Sequence, residues 1–225
     1  LLALVALLAA ACSTGSTTGV TVLAAASLTE TFDDLGGATF SFAGSQQLVA
    51  QVEAGAPVDV VATADVEGMD RLVRSGLVDR PQDFAGNRLA IAVELGNPDR
   101  IACLADLARP GLKVVVADPA VPAGRYARQA LDRAGVVLRP VSLELDVKAV
   151  AAKVAAGEAD AGIVYVTDVA PGARVEIPED ANVAARYPVA VVRSTGNRAG
   201  AEAFVDRLLG PEGRAALAAR GFVLP

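Results

Sequence analysis

Histidine and tryptophan are absent from this chain, cysteine occurs twice, methionine once, and aromatic residues make up only 4% of its 225 positions. Without an imidazole there can be no histidine-ligated zinc, no Ser-His-Asp triad and no Cys-His nucleophile, since each needs that ring as base or ligand. Catalysis would fall to carboxylates, Lys or Tyr. Basic residues are the minority charge, 20 Lys and Arg against 26 Asp and Glu, for a net −6. That excludes the basic surface with which a nucleic-acid binder displaces phosphate counterions, and no nucleic-acid partner is expected. What the chain has in quantity is apolar material, 53% of residues. Disorder is thereby excluded, and the length suits one large domain or two lobes of ordinary size.

One long apolar run stands out, the eleven residues 1–11 that precede Cys12. A membrane-spanning helix needs about 20 apolar residues, so the run reads as the hydrophobic part of a signal peptide. The usual Met and basic segment are missing, and the sequence is read as starting inside that peptide. Small residues directly before Cys12 resemble the bacterial lipoprotein cleavage box, although Ala9 stands where Leu is commoner. An ordinary secretory signal with a chance cysteine is the alternative. The expectation is a signal peptide over 1–12 with Cys12 acylated, a flexible tether over 13–19, and a mature protein held outside the cytoplasm by lipid alone. Cys103 is then the only other thiol, so no internal disulfide is possible. Its apolar neighbours Ile101, Ala102 and Leu104 predict a buried, inert side chain.

Downstream, strand-like and helix-like segments alternate. Strands are predicted over 20–23, 39–42, 58–62, 88–93, 114–117, 162–166 and 189–193. Helices are predicted over 28–35, 46–53, 66–75, 125–134, 146–156, 199–209 and 211–220. This alternation is the signature of α/β architecture with mostly parallel sheets. Ser27 followed by Glu30 fits a capping box, which places Ser27 at a helix start just after a strand. Ser45 and the turn Pro122-Ala123-Gly124 share that position, and Val147 follows Asp146 at a further helix start. Helix N-termini expose unpaired N–H groups that suit an anion, yet a serine there also stabilises a helix with no ligand at all. An internal echo joins residues 49–65 to 151–168: a helix, a stopping Gly, an Asp, a buried strand, then Thr63-Ala64-Asp65 or Thr167-Asp168. It predicts two lobes of related construction with a ligand cleft between them, at the carboxyl ends of the strands.

Seven segments, in order, carry a resemblance: Ala24-Ala25-Ala26-Ser27-Leu28, Phe42-Ala43-Gly44-Ser45, Glu53-Ala54-Gly55-Ala56-Pro57-Val58-Asp59, Val121-Pro122-Ala123-Gly124-Arg125-Tyr126-Ala127, Asp146-Val147-Lys148, Gly162-Ile163-Val164-Tyr165 and Tyr187-Pro188-Val189-Ala190-Val191-Val192. Together they resemble the molybdate-binding proteins of bacterial ABC importers, from Val20 to Phe222. The resemblance implies a two-lobed periplasmic-binding-protein fold of type II, with 20–86 and 194–225 as the first lobe and 87–193 as the second. It implies a non-enzymatic, monomeric carrier without cofactor that passes molybdate or tungstate to an ABC transporter permease. Ser27 and Ser45 would hold the anion from one lobe, and Ala123, Val147 and the Tyr165 hydroxyl from the other. The same fold binding sulfate or another oxyanion stays open, as does an enzyme with Ser27 as nucleophile, which would lack a histidine base. Arg125 is not a ligand in this pattern, and Asp59, Asp65 and Asp118 read as turn or cap residues. Only fifteen residues separate Leu23 from Thr39, barely enough for a parallel crossover of about a dozen. A shortened first helix, or a gap in the sequence, is expected there, with Ser45 the residue most exposed to error. The turn from Asp118 to Pro122 is also short by one residue against the family pattern.

Overall fold

The structure, a computed structural model, describes residues 19–225. The signal peptide, Cys12 and all of the tether but Gly19 lie outside the described residues. Two five-stranded sheets organise the chain. The first is built from β1 (Thr21–Ala25), β2 (Thr39–Ala43), β3 (Val60–Ala62), β4 (Gln82–Asn87) and β10 (Ala185–Val191) in the order β2-β1-β3-β10-β4. The second holds β5 (Leu89–Val93), β6 (Val114–Ala117), β7 (Ser142–Glu144), β8 (Ala161–Tyr165) and β9 (Arg174–Glu176) in the order β7-β6-β8-β5-β9. Connectivity is the same in both. A central strand pairs in parallel with its two neighbours, β1 with β2 and β3, β6 with β7 and β8. Beyond β3 or β8 an antiparallel strand follows, β10 or β5, which pairs in turn with the edge strand β4 or β9. Four of the eight pairings are therefore antiparallel, more than the expected mostly parallel sheets.

Helices α1 (Thr29–Leu35), α2 (Ser45–Glu53), α3 (Val66–Arg74), α6 (Arg198–Leu209) and α7 (Pro211–Ala219) cover the first sheet, with α4 (Pro122–Arg133) and α5 (Val147–Ala155) on the second. The expected short first helix is present: α1 has seven residues and ends at Gly36 and Gly37, whose φ of +61° and +79° only glycine adopts freely. The scarce aromatics gather where they fill most volume. Phe32, Phe40 and Phe204 pack with ring centroids 5.5 to 5.9 Å apart, at the junction of α1, β2 and α6.

The chain leaves the first sheet at Arg88 and returns over 177–184, between β9 and β10. The expected second lobe, 87–193, therefore runs too far, because it takes in β10, which belongs to the first sheet: Val189, Ala190 and Val191 pair with Ala62, Val61 and Val60. A register shift between Tyr187 and Pro188 lets the proline sit inside the sheet without an N–H to give. Asn182 ties the two crossings together, since its amide accepts from Leu89 N–H and donates to Leu89 C=O, both at 2.9 Å. Cys103 is a second correction: it is exposed, because it caps the turn Leu104–Ala108. There its thiol meets Asp106 at 3.7 Å.

Candidate functional site

Each of the five residues singled out from the sequence stands where a strand hands over to a helix or turn. β1 runs into a single turn of 3-10 helix, Ala26–Leu28, which carries Ser27. After β2, Gly44 caps α2 and Ser45 is its first residue. After β6, Val121 caps α4, Pro122 opens it and Ala123 follows. Proline suits that first position because its missing N–H has no partner there in any case. Val147 opens α5, capped by Asp146, whose carboxylate accepts from Ala149 N–H at 2.9 Å. Tyr165 ends β8. The capping box expected for Ser27 and Glu30 does not form; Ala25 is the cap residue, and Glu30 turns outward to Lys148.

These five residues line one small cavity between the two sheets, with Ala25, Ala43, Ala64 and Val121 filling the gaps. Its volume is small, about 10 Å³. Such a cavity accepts one compact group and no extended ligand. Among the described residues, no Lys or Arg lines it, and its one carboxylate, Asp146, is engaged as a helix cap. Ser45 Oγ accepts from Ala64 N–H at 3.0 Å. Ser27 Oγ lies 2.9 Å from the hydroxyl of Tyr187, which is fully buried in β10. Tyr165 is 1% exposed and its hydroxyl has no hydrogen-bond partner. Burial pushes that phenol well above its ordinary pKa, so it stays protonated and offers a proton.

Around the cavity, cations from the second sheet reach acids on the first. Arg125, two residues beyond Ala123, pairs with Asp65, the cap of α3, and with Glu67 at 3.1 Å. Lys148, next to Val147, pairs with Glu30 at 2.7 Å and with the fully buried Asp168 at 3.2 Å. The Gln46 amide donates to Leu145 C=O at 3.0 Å across the same gap. Asp65 and Asp118 accept from the local backbone N–H groups of Gly68 and Ala120, as expected of cap and turn residues, whereas Asp59 accepts from Thr21 N–H and from the Thr195 hydroxyl and so ties distant segments together. Sequence reasoning missed Tyr187, Asn87 and Asp168 as parts of this region. Asp65 and Asp168 occupy matching places in the internal echo, the one signal that pointed to them.

Burial raises the Asp168 carboxyl to about 6 from an ordinary 3.8, with Lys148 pulling the other way. The folded state therefore holds this proton more tightly than the unfolded chain. Its contribution to stability is complete below the unfolded value and is lost as pH rises through about 6. Thermal melts of wild type and Asp168→Asn should show the variant gaining on wild type from about pH 4 to about pH 7. A constant difference across that window would contradict the assignment.

Among the described residues, no group of three or more His, Cys, Asp or Glu is placed to hold a metal ion, and no helix is long and apolar enough to cross a membrane. Residues 20–223 match the family described as bacterial extracellular solute-binding protein. The molybdate-binding protein ModA of Mycobacterium tuberculosis (strain ATCC 25618 / H37Rv) is 41% identical over 92% of this chain and 85% of its own length. ModA of Escherichia coli (strain K12) is 34% identical over 91% of this chain and 89% of its own. In three dimensions the periplasmic molybdate-binding protein of Azotobacter vinelandii superposes with a TM-score of 0.81 at 22% identity, over 92% of this chain and 99% of that one. With a two-sheet α/β fold, a cavity between the sheets and relatives of this identity along nearly its whole described length, the chain belongs to the bacterial extracellular solute-binding protein family.

Proposed function

We propose that this protein captures molybdate or tungstate between two lobes and delivers it to an ABC transporter permease, without catalysing a reaction. In this reading the lobes divide where the chain passes between the two sheets, near residue 88 and within 177–184. Ser27 and Ser45 donate to the anion from the first lobe. Backbone N–H groups of Ala123 and Val147 and the Tyr165 hydroxyl donate from the second. The observation that carries this reading is the Tyr165 hydroxyl, a buried proton donor with no partner in the protein that lines the same cavity as the other four. An unpaired buried hydroxyl costs about 1–3 kcal/mol, a cost relieved when an acceptor enters the cavity.

The chemistry of the donor set matches a fully ionised tetrahedral oxyanion. Such an anion has only acceptors, so a shell made of donors leaves none of its oxygens unpaired once water is expelled. Neutral donors at helix ends stabilise the charge with no cation to desolvate in the empty site. Hydrogen phosphate brings a proton that finds no acceptor there. Cys12 acylation and a site of action outside the cytoplasm belong to the same proposal, resting on the apolar run before Cys12.

Calorimetric titration with molybdate, tungstate and sulfate tests the reading. Molybdate and tungstate should bind and sulfate should bind far more weakly. Sulfate binding as tight as molybdate would favour a sulfate carrier, and no binding of any of them would sink the proposal. Ser45→Ala should weaken molybdate binding much more than it lowers thermal stability. Equal losses would instead mark Ser45 as an ordinary helix-start residue.

A further inference from the structure

We propose that Tyr187 is a specificity-determining positioning residue: it donates to Ser27 Oγ and so turns the Ser27 proton toward the cavity, which makes the site reject oxyanions that carry a proton. This rests on the oxyanion reading above and adds to it a residue that lies behind the cavity rather than on its wall. A serine hydroxyl can present either its proton or a lone pair. Where nothing fixes that choice, a serine accepts from a protonated anion as readily as it donates to a bare one, and discrimination is lost.

At Ser45 the choice is biased by the backbone. Ala64 N–H cannot reverse, so the serine oxygen is already an acceptor and its proton is left for the cavity. At Ser27 the partner is another hydroxyl, and the 2.9 Å separation alone leaves both directions open. Burial decides between them. Tyr187 has no surface exposure, and Ser27 Oγ is the partner its hydroxyl has. If Ser27 donated, the Tyr187 proton would be left buried and unpaired, whereas the Ser27 proton has the cavity before it and an anion there to take it. The Tyr187 proton therefore points to Ser27, and protons run one way, from Tyr187 to Ser27 to the cavity. A hydroxyl that already accepts one bond is a stronger donor. For Ser27 to accept from the ligand as well, its own proton would have to face a lining of alanines such as Ala25 and Ala26.

The test uses the full mature protein and competition for bound molybdate by sulfate and by hydrogen phosphate at mildly alkaline pH. The two competitors are then dianions of similar size that differ in one proton. In Tyr187→Phe the ring contacts with Phe84, Tyr165 and Phe222 persist, and Ser27 is free to turn. Molybdate affinity should fall about tenfold, the loss of one polarised donor, while the phosphate-to-sulfate affinity ratio rises about tenfold. Adding Tyr187→Phe to Ser27→Ala, which removes the hydroxyl being oriented, should leave the ratio of Ser27→Ala unchanged. A parallel loss of sulfate and phosphate affinity in Tyr187→Phe with the ratio unmoved, or a further change of ratio in the double variant, would overturn the proposal and leave Tyr187 a packing residue. Failure of wild type to bind any tetrahedral oxyanion would overturn the oxyanion reading itself, and this inference with it.

Discussion

Tyr165→Phe should weaken molybdate binding roughly 10- to 100-fold, the worth of one hydrogen bond to a charged group, while the empty protein becomes as stable as wild type or more so. The two effects have one origin. In the empty protein the hydroxyl is buried without a partner, so its removal takes away an uncompensated polar group and leaves the ring, which packs 5.9 Å from Tyr187, where it was. With the anion bound, the same deletion removes a donor from a dry cavity where nothing replaces it. Titration calorimetry and a thermal melt on the same preparation check both. Loss of stability without loss of binding would place Tyr165 in the core and not in the binding shell.

Gly124→Ala is expected to damage both folding and binding. A Cβ at Gly124 would lie 2.1 Å from the Asp118 carbonyl oxygen and 2.4 Å from that of Ala117, both backbone atoms. Neither can retreat freely. Asp118 C=O accepts from Val121 N–H at 2.8 Å, and Ala117 is paired with Glu144 in the sheet. The first turn of α4 must move instead, at a cost of about 1–3 kcal/mol and a fall in Tm of roughly 2 to 12 °C. Because Ala123 is the neighbouring residue, that movement withdraws its N–H and molybdate affinity should fall at least tenfold. Gly213→Ala provides the contrast. Its Cβ would meet the Leu208 carbonyl oxygen at 2.0 Å, in α7 and away from the cavity. Thermal stability should drop in both variants, and affinity only in the first. Equal affinity losses would mean that global destabilisation, and not the placing of Ala123, explains the result.

The residues that gather at the cavity were legible because they follow local rules. A small or hydroxyl residue between an apolar strand and an amphipathic helix can be read from a dozen neighbouring positions, and Ser27, Ser45 and Ala123 obey that pattern, while Val147 follows Asp146 at a helix start. Tyr165 came from the family resemblance alone, since the strand predicted over 162–166 ran one residue past it. Strands β4, β7 and β9 were not. β4 reads Gln-Asp-Phe-Ala-Gly-Asn, without alternation or an apolar run, and the other two have three residues each at sheet edges. They exist because a partner strand is present, and sequence-local reasoning has no access to that partner. The end of the second lobe was misplaced for the same reason: β10 joins a sheet whose other strands all lie before Arg88 in the chain. Cys103 was misread because apolar neighbours in sequence were taken for neighbours in space. Tyr187 reaches the cavity only through its hydrogen bond to Ser27, between β10 and the turn after β1, a juxtaposition made by the sheet and by no motif.

The shared connectivity of the two sheets has a consequence in terms of symmetry. Ser27 follows β1 as Ala123 follows β6, and Ser45 opens α2 as Val147 opens α5, so the proposed donors form two pairs that stand at equivalent places in the two connectivities, one member of each pair in each lobe. A tetrahedral anion has twofold axes, each exchanging its oxygens in pairs. Each lobe then needs to provide only half of one coordination shell. Planar anions such as nitrate lack the out-of-plane pair that the second lobe would address. Tyr165 has no counterpart among the first lobe's proposed donors, so under this reading the shell is not symmetric and the bound anion has a single orientation.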